Sequence, residues 1–430
     1  MEARSRVVAR TEQGNRMPLL DRLELYVVNA PLPAPFAPSW IPGTIRNTAS
    51  FTLARFITDD GVEGWSAFPG GARDRAGIGD TMANLFLGQD PEDIDLMAER
   101  IRIMAIGGNF NWWLEPAFWD IKAKRAGLPL YKLLGGAHDR IKLYSSAGEI
   151  KDTGARREEA EARYSEGFET MKVRVHDFDE AVDIEHIQDV ARYMEGRMKI
   201  SVDCNQAFRL TQNGDAPLWS LDRAKRFVDA AADVGLAWVE EPLFGEWHEE
   251  ITKLTSYSRV PIAGGELHSM GASELIRMGK MGCYNILQPD AMWAGGVQQG
   301  MDVAQFCREA GLKFTPHCWT NGFGFIINAQ IFAASGFADE MLFEYPYAPP
   351  GWVPEGRDAV MSAPFLHNRG WFEMPQTPGL GFEIDLTLRR PILDGVEISL
   401  TIAALHSDFF DEITKESTTS LVASAIQIDF

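Results

Sequence analysis

From about Ile141 onward the chain repeats a pattern rather than a motif: eight short apolar runs alternate with polar, amphipathic stretches. The runs are KLYSSAG, TMKVRV, MKISVDC, LAWVEE, VPIAGGE, YNILQPD, LKFTPHC and MLFEYP, and segments such as SLDRAKRFVDAAADVG and VQQGMDVAQFCREAG lie between them. Runs this short, apolar along their whole length and separated by helix-forming sequence, predict parallel strands covered by helices on their outer faces. Eight is the number that closes a (β/α) barrel of about 250 residues. An open doubly wound sheet is the rival arrangement. It would carry a glycine-rich phosphate fingerprint after its first strand, and none follows KLYSSAG.

A chain of 430 residues leaves room for a second domain. Residues 1–16 read as a flexible polar tail. LELYVVNA and ASFTLARFIT predict strands, the second ending in the turn Asp59-Asp60-Gly61. Between them APLPAPFAPSWIPG, rich in proline and aromatics, predicts irregular structure. It is either a lid over an apolar-walled pocket or a loop packed on its own domain. DIDLMAERIRIMA and EPAFWDIKAKRAG, within residues 80–135, carry apolar residues at helical spacing. The fold expected is therefore α/β: a modified (β/α) barrel over residues 141–367 and an α+β capping domain over 17–140. The segment 368–384 is expected to return to the cap, and 385–430 is an extension, either inert or an oligomer arm.

The formal net charge of −20 disfavours nucleic acid and anionic membranes as partners. An anionic substrate stays open, because a metal and a few cations can invert the sign inside one pocket. The four cysteines form no C-x-x-C pair and suit a reducing compartment. The N-terminus lacks the apolar core of a signal peptide, and no window approaches 18 unbroken apolar residues, so a cytoplasmic protein is expected. An isolated Gly77-x-Gly79 match carries no phosphate role.

In such a barrel the catalytic side chains gather at the C-terminal ends of the strands. From the second run onward these ends carry Lys172 and Arg174, Asp203 and Asn205, Glu240 and Glu241, Glu266, Asp290, His317 and Glu344. Single carboxylates at strand ends usually cap helices. Seven consecutive titratable ends converging on one face would be costly to bury without a shared purpose. Asp203, Glu240 and Glu266 come from three successive runs and offer only hard oxygen donors, which suits Mg²⁺ rather than zinc. Asp290 and His317 lie one unit apart; a carboxylate beside an imidazole fixes its tautomer and raises its basicity, as a general base requires. Lys172 and Arg174, two residues apart, point to the same side of their strand and can face a substrate carboxylate beside the metal.

These residues, with EPAFWDIKAKRAGLPLYKLLGG, VDCNQAF, WVEEPL, AGGEL, QPDAMWAGGV, TPHCW and PGLGFEID, resemble the enolase superfamily and, within it, the mandelate racemase-like subgroup, over about residues 20–384. The resemblance implies Asp203, Glu240 and Glu266 as Mg²⁺ ligands, with Glu241 as the alternative to Glu240. It implies Asp290 and His317 as the dyad, Glu344 as the eighth-strand acid, and a homo-oligomer of two to eight copies. The family pairing on the second strand is Lys-x-Lys; here it is Lys172-Val173-Arg174, and arginine is a poor base because it stays protonated up to about pH 12.

The chemistry expected is abstraction of the proton α to a carboxylate through an enediolate. Lys172 and Arg174 lend positive charge, His317 is the base, and a protonated Glu344 donates to the enediolate. With one suitable base, the reaction expected is that of a hydro-lyase: dehydration of an acid sugar to a 2-keto-3-deoxy acid. Racemisation, epimerisation or cycloisomerisation is the second choice, and a metal-binding scaffold without activity the third. Trp40, Arg46 and Asn205 are assigned to the small-molecule carboxylate substrate, and Phe36 and Trp40 in the lid favour an apolar partner over a polyol.

Overall fold

The apolar alternation from Leu20 to Phe68 becomes an antiparallel meander of β1 (Leu20–Phe36), β2 (Arg46–Thr58) and β3 (Glu63–Phe68). The computed structural model describes residues 17–68, 84–106, 110–209 and 214–384, together with the backbone of two later strands. The expected tail at 1–16, Gly77-x-Gly79 and most of the loop around them lie outside the described residues.

One expectation needs correcting here. The segment APLPAPF is not irregular but the second half of β1. Proline holds φ near the extended value and lacks only the N–H donor, so it survives where the ladder lapses. Pairing with β2 is regular from Arg22↔Ile57 to Pro31↔Thr48, skips, and resumes at Phe36↔Arg46. The loop proper is therefore residues 37–45.

The cap's helices are Ile94–Ala105, opened by the Asp93 side chain accepting from Leu96 N, and Glu115–Ala126, which has a proline in its first turn and ends at Gly127 with φ 67°. Glu115 reaches out of this domain. Its carboxylate accepts from Val297 N at 2.7 Å, Gln298 N at 3.1 Å and Trp119 Nε1 at 2.8 Å, and so caps the barrel helix Gly296–Ala310. A Cβ on Gly296 would lie 2.6 Å from the Glu115 carboxylate, which explains glycine there. Burial pushes the Glu115 carboxyl up to about 7, against the three N–H donors.

All eight apolar runs form strands: β4 (Arg140–Ser146), β5 (Thr170–Arg174), β6 (Lys199–Asp203), β7 (Val239–Glu240), β8 (Ile262–Gly264), β9 (Ile286–Leu287), β10 (Lys313–Phe314) and β11 (Phe343–Pro346). Parallel ladders join β4 through β10 in order, and β11 pairs with β4. Between β10 and β11 the described residues show no ladder. Side chains span that gap instead: Thr315 Oγ1 donates to Leu342 O at 2.8 Å and Cys318 N to a Glu344 carboxylate oxygen at 2.9 Å. Helices follow the strands, and several are capped by Asp152, Asp179, Ser220 and Asn321 as the sequence pattern requires. The helix Gly322–Ala334 is buried on all sides, so its two amides must be paired. Asn328 donates to Asp290, and Gln330 accepts from Tyr131 N at 2.7 Å.

The segment after the barrel first stays with it: β12 (Trp371–Glu373) pairs antiparallel with β4. Contact with the cap begins later, where Leu380 N donates to Asp120 at 2.9 Å and Leu130 N to Gly379 O at 2.9 Å. In the C-terminal extension β13 (Glu397–Thr401) joins the free edge of β1, and β14 (Ile426–Gln427) pairs with β13, completing a five-stranded sheet. Among the described residues no helix is long and apolar enough to cross a membrane.

Candidate active site

The strand ends bring the titratable residues onto one rim because parallel register aligns them: Arg174 lies beside Asp203 on the neighbouring strand, and Asp203 beside Glu240. Lys172, Arg174, Asp203, Glu240, Glu241, Glu266, Asp290, His317 and Glu344 are all buried. Asn205 and Glu241 each follow a strand with φ 47°, a left-handed turn that redirects the chain just past the carboxylate before it.

Lys172 Nζ lies 2.5 Å from Glu240 Oε1, 2.7 Å from Glu344 Oε1 and 3.8 Å from Asp203 Oδ2. Burial works against its charge, but Glu240 and Glu344 outweigh it and hold the ammonium above its ordinary value. Arg174 pairs through Nη1 with Asp203 and donates through Nε to Ala147 O at 2.7 Å. Its guanidinium sits 5.4 Å from the Trp40 ring and 5.5 Å from the Trp319 ring, between cap and barrel.

His317 is held at both nitrogens. Nδ1 lies 2.9 Å from Asp290 Oδ2 and Nε2 3.1 Å from Glu266 Oε2. Asp290 is fixed in turn by Met292 N and Asn328 Nδ2, each at 2.9 Å. Burial lowers the imidazole, but Glu266, Glu344 and Asp290 raise it to about 9. Glu266 is pushed up to about 7 by burial, opposed by His317 and assisted by Asp203 and Glu240. Charge on each partner sustains charge on the other, so the contact favours an imidazolium beside a carboxylate.

Glu344 departs from expectation. Burial raises it, yet Lys172 and His317 together bring it down to about 2, so it is ionised rather than a proton donor. The cations were legible in the sequence, but their distance from Glu344 was not.

Glu240 and Glu241 also divide differently from a simple first-of-pair choice. Glu240 is saturated by Lys172, Gln288 Nε2 at 2.8 Å and Trp238 Nε1 at 3.2 Å. Glu241 has a buried oxygen, Oε2, with no partner, and burial and then Glu266, Asp203 and Glu240 push its carboxyl well up. As they stand, Asp203, Glu240 and Glu266 are each tied to a different cation: Arg174, Lys172 and His317. Among the described residues no three His, Cys, Asp or Glu side chains converge as a finished metal cage. The donor set fits a hard divalent cation nonetheless. Six buried carboxyl groups share two permanent cations and one imidazole, and of the two carboxylate oxygens among them without a hydrogen bond, Glu344 Oε1 faces Lys172 while Glu241 Oε2 is left orphaned.

A cavity of about 860 Å³ opens above this rim. Arg174, Glu266 and His317 form its floor, and the three residues assigned to substrate, Trp40, Arg46 and Asn205, all line it. Asn205 is tied to the 37–45 loop through Ser39 Oγ at 2.8 Å. Phe36, Trp40, Trp319 and Trp352 pack as one aromatic wall, with ring centroids 5.0–6.0 Å apart. The sequence reading missed Gln288, Asn328 and Trp319. Asn328 had a usable signal, a lone amide in the otherwise apolar GFGFIINAQIFAA together with Gln330; Gln288 and Trp319 lie inside QPDAMWAGGV and TPHCW, motifs that carried the resemblance without giving either residue a role.

Residues 22–135 match the model of the mandelate racemase / muconate lactonizing enzyme N-terminal domain, and residues 155–388 match the enolase C-terminal domain-like model. D-galactarolactone cycloisomerase of Agrobacterium fabrum is 26% identical over 358 residues, covering 77% of this chain and 88% of that one. Arabinonate dehydratase of Saccharolobus solfataricus is 25% identical over 365 residues, covering 80% and 91%. The crystal structure of L-talarate dehydratase from Polaromonas sp. JS666, complexed with Mg and L-glucarate, superposes with a TM-score of 0.70 at 23% identity, over 86% of this chain and 96% of that one.

Proposed function

This chain belongs to the mandelate racemase / muconate lactonizing enzyme family of the enolase superfamily, and from that premise we propose that it removes the proton α to a carboxylate and expels an oxygen substituent from the adjacent carbon. The substrate class is an acid sugar, and the main reading is dehydration of a 2,3-dihydroxy acid to a 2-keto-3-deoxy acid. The carrying observation is His317, clamped between Asp290 and Glu266, with no second base assigned opposite it among the described residues: the cations of the second strand are an arginine and a lysine held charged by two carboxylates. Dehydratases and a cycloisomerase among the relatives support the class.

Mg²⁺ would be held by Asp203, Glu266 and the Glu240–Glu241 pair, with Glu240 released because Lys172 keeps Glu344 as a partner. A bound divalent cation supplies charge stabilisation for a carboxylate becoming an enediolate. If Glu266 were held by that cation, it would no longer raise His317 as it does here, and the imidazole would be freer to act as a base. His317 Nε2 takes the α-proton, and the C–H electrons pass into the carboxylate. Lys172 and the Arg174 guanidinium lie where negative charge accumulates, and the Arg174 Nη2 donor is buried without a partner. The enediolate then forms the Cα=Cβ bond as the C3–O bond breaks. The leaving oxygen takes its proton from His317, and the enol becomes the ketone.

The aromatic wall favours a second reading in which the leaving oxygen belongs to a ring, making the reaction a cycloisomerisation by the same bond changes. The reading also includes a division near residues 140 and 367 into cap and barrel, a cytoplasmic location, a homo-oligomeric state and no nucleic acid or membrane partner. The deciding experiment incubates the enzyme with Mg²⁺ and acid sugars in D₂O. Deuterium at the α-carbon with loss of the 3-oxygen is expected. Exchange on both faces without loss would make it a racemase, and silence across the library would overturn the proposal.

A further inference from the structure

We propose that Ser39 is a positioning residue: it pins the 37–45 loop of the cap to the barrel and so holds Trp40 in the cavity wall against which substrate is bound. This rests on the function proposed above only for what the cavity holds. Phe36 and Trp40 come from the cap and Trp319 and Trp352 from the barrel, yet the four rings make one wall. Most of that wall has its own support. Trp319 Nε1 donates to Ser146 Oγ at 2.7 Å, and Phe36, at the end of β1, stacks on Trp319 with the two planes 7° apart. Trp40 is only half-buried, lies outside any strand or helix, and meets Trp319 edge-on. Its place therefore depends on the backbone that carries it, and the residue before it is Ser39.

Ser39 is 4% exposed, and each of its three polar groups is bonded to a different barrel loop. Its N donates to Gly148 O at 2.8 Å, after β4. Its O lies 2.6 Å from His176 Nε2, after β5, and its Oγ 2.8 Å from Asn205 Oδ1, after β6. A carbonyl only accepts, so His176 Nε2 carries the proton in that bond. Asn205 Oδ1 also lies 3.3 Å from Arg174 Nη1. A guanidinium only donates, so the amide oxygen serves both neighbours and the Ser39 hydroxyl is a donor. Asn205 N in turn donates to Asp203 Oδ1 at 2.8 Å, which joins the pinned loop to the strand end that begins the acidic rim. A serine in a turn commonly bonds to its own backbone a few residues away. Here the side-chain bond crosses 166 residues of sequence and the histidine bond 137. Any residue but proline could make the two backbone bonds. The bond to Asn205 requires a hydroxyl.

The test first digests the full chain with chymotrypsin, which cuts after aromatic residues, in the absence of substrate. Cleavage after Trp40 requires the loop to open, so its rate reports how firmly the loop is pinned. Ser39→Ala is expected to speed that cut about fivefold, the worth of one hydrogen bond, with the other cuts and the melting temperature as in wild type. Ser39→Thr keeps the hydroxyl and is expected to restore the slow cut. With Mg²⁺ and an acid sugar that shows α-deuterium exchange, Ser39→Ala should raise KM about fivefold with kcat held. In a Trp40→Ala background the same change should add nothing, because Ser39 acts through that ring. An unchanged cut after Trp40, or a KM effect that adds in full to that of Trp40→Ala, overturns the proposal. Absence of exchange with every acid sugar overturns the proposed reaction instead, and the cleavage rates then decide the role of Ser39 alone.

Discussion

Strands β6, β7 and β8 bring Asp203, Glu240, Glu241 and Glu266 to one half of the barrel rim. Across the cavity, β5, the loops after β10 and β11, and the segment from Trp40 to Arg46 bring two guanidinium groups, Arg174 and Arg46, and the indoles of Trp40, Trp319 and Trp352. The first half is an excess of acids raised by burial and then by one another, an arrangement that waits for a cation. The second sets a guanidinium between indoles, an arrangement that suits an anionic molecule with C–H surface. His317 lies where the two meet, bonded to Glu266 on one side and lining the cavity on the other. The contrast separates holding a metal from choosing a substrate, and it can be tested half by half.

The largest effect is expected from the acidic half. Chelating Mg²⁺ should reduce turnover to background, and Glu266→Gln should lose both metal binding and turnover; calorimetric titration with Mg²⁺ and a product assay read the two separately. Next comes the junction. His317→Asn should lower kcat by about a thousandfold, within the range of a lost general base, while the Mg²⁺ isotherm stays where it was. If the isotherm moved as well, the two halves would not be separable. Arg174→Lys tests the donor half more gently. It keeps one charge but loses the planar fork and its place between two indoles, so kcat/KM should fall about tenfold to a hundredfold with metal affinity preserved. An Arg174→Lys enzyme that instead gained exchange on the opposite substrate face would show that the arginine alone had kept this site from two-base chemistry.

The smallest effect concerns the joint that holds the halves together. Glu115→Gln should cost about 1–3 kcal/mol by mismatching the barrel N–H groups that the carboxylate caps. The wild-type carboxyl is raised from 4.5 to about 7 on folding. Its contribution is therefore full below about pH 4.5 and is lost as pH rises through about 7, so the gap in melting temperature between wild type and variant should be wider at pH 5 than at pH 8.

What the sequence determined by itself was local and periodic. Each apolar run carries its own strand signal, and the residue ending it needs no partner to be recognised, so the eight strands and the order Asp203, Glu240, Glu266, Asp290, His317, Glu344 could be read directly. The cap's helices followed from their caps and stops for the same reason. What only the tertiary structure decided depends on residues far apart in the chain. APLPAPF became strand because β2 lay beside it to accept an interrupted register. Glu344 became a carboxylate because Lys172 from another strand lies 2.7 Å away. Glu240 and Glu241 look identical in sequence and differ because Gln288 and Lys172 reach only the first. The bare oxygen of Glu241 becomes informative only once other carboxylates lie around it, because an unsatisfied group is defined by what surrounds it and not by the residue that carries it.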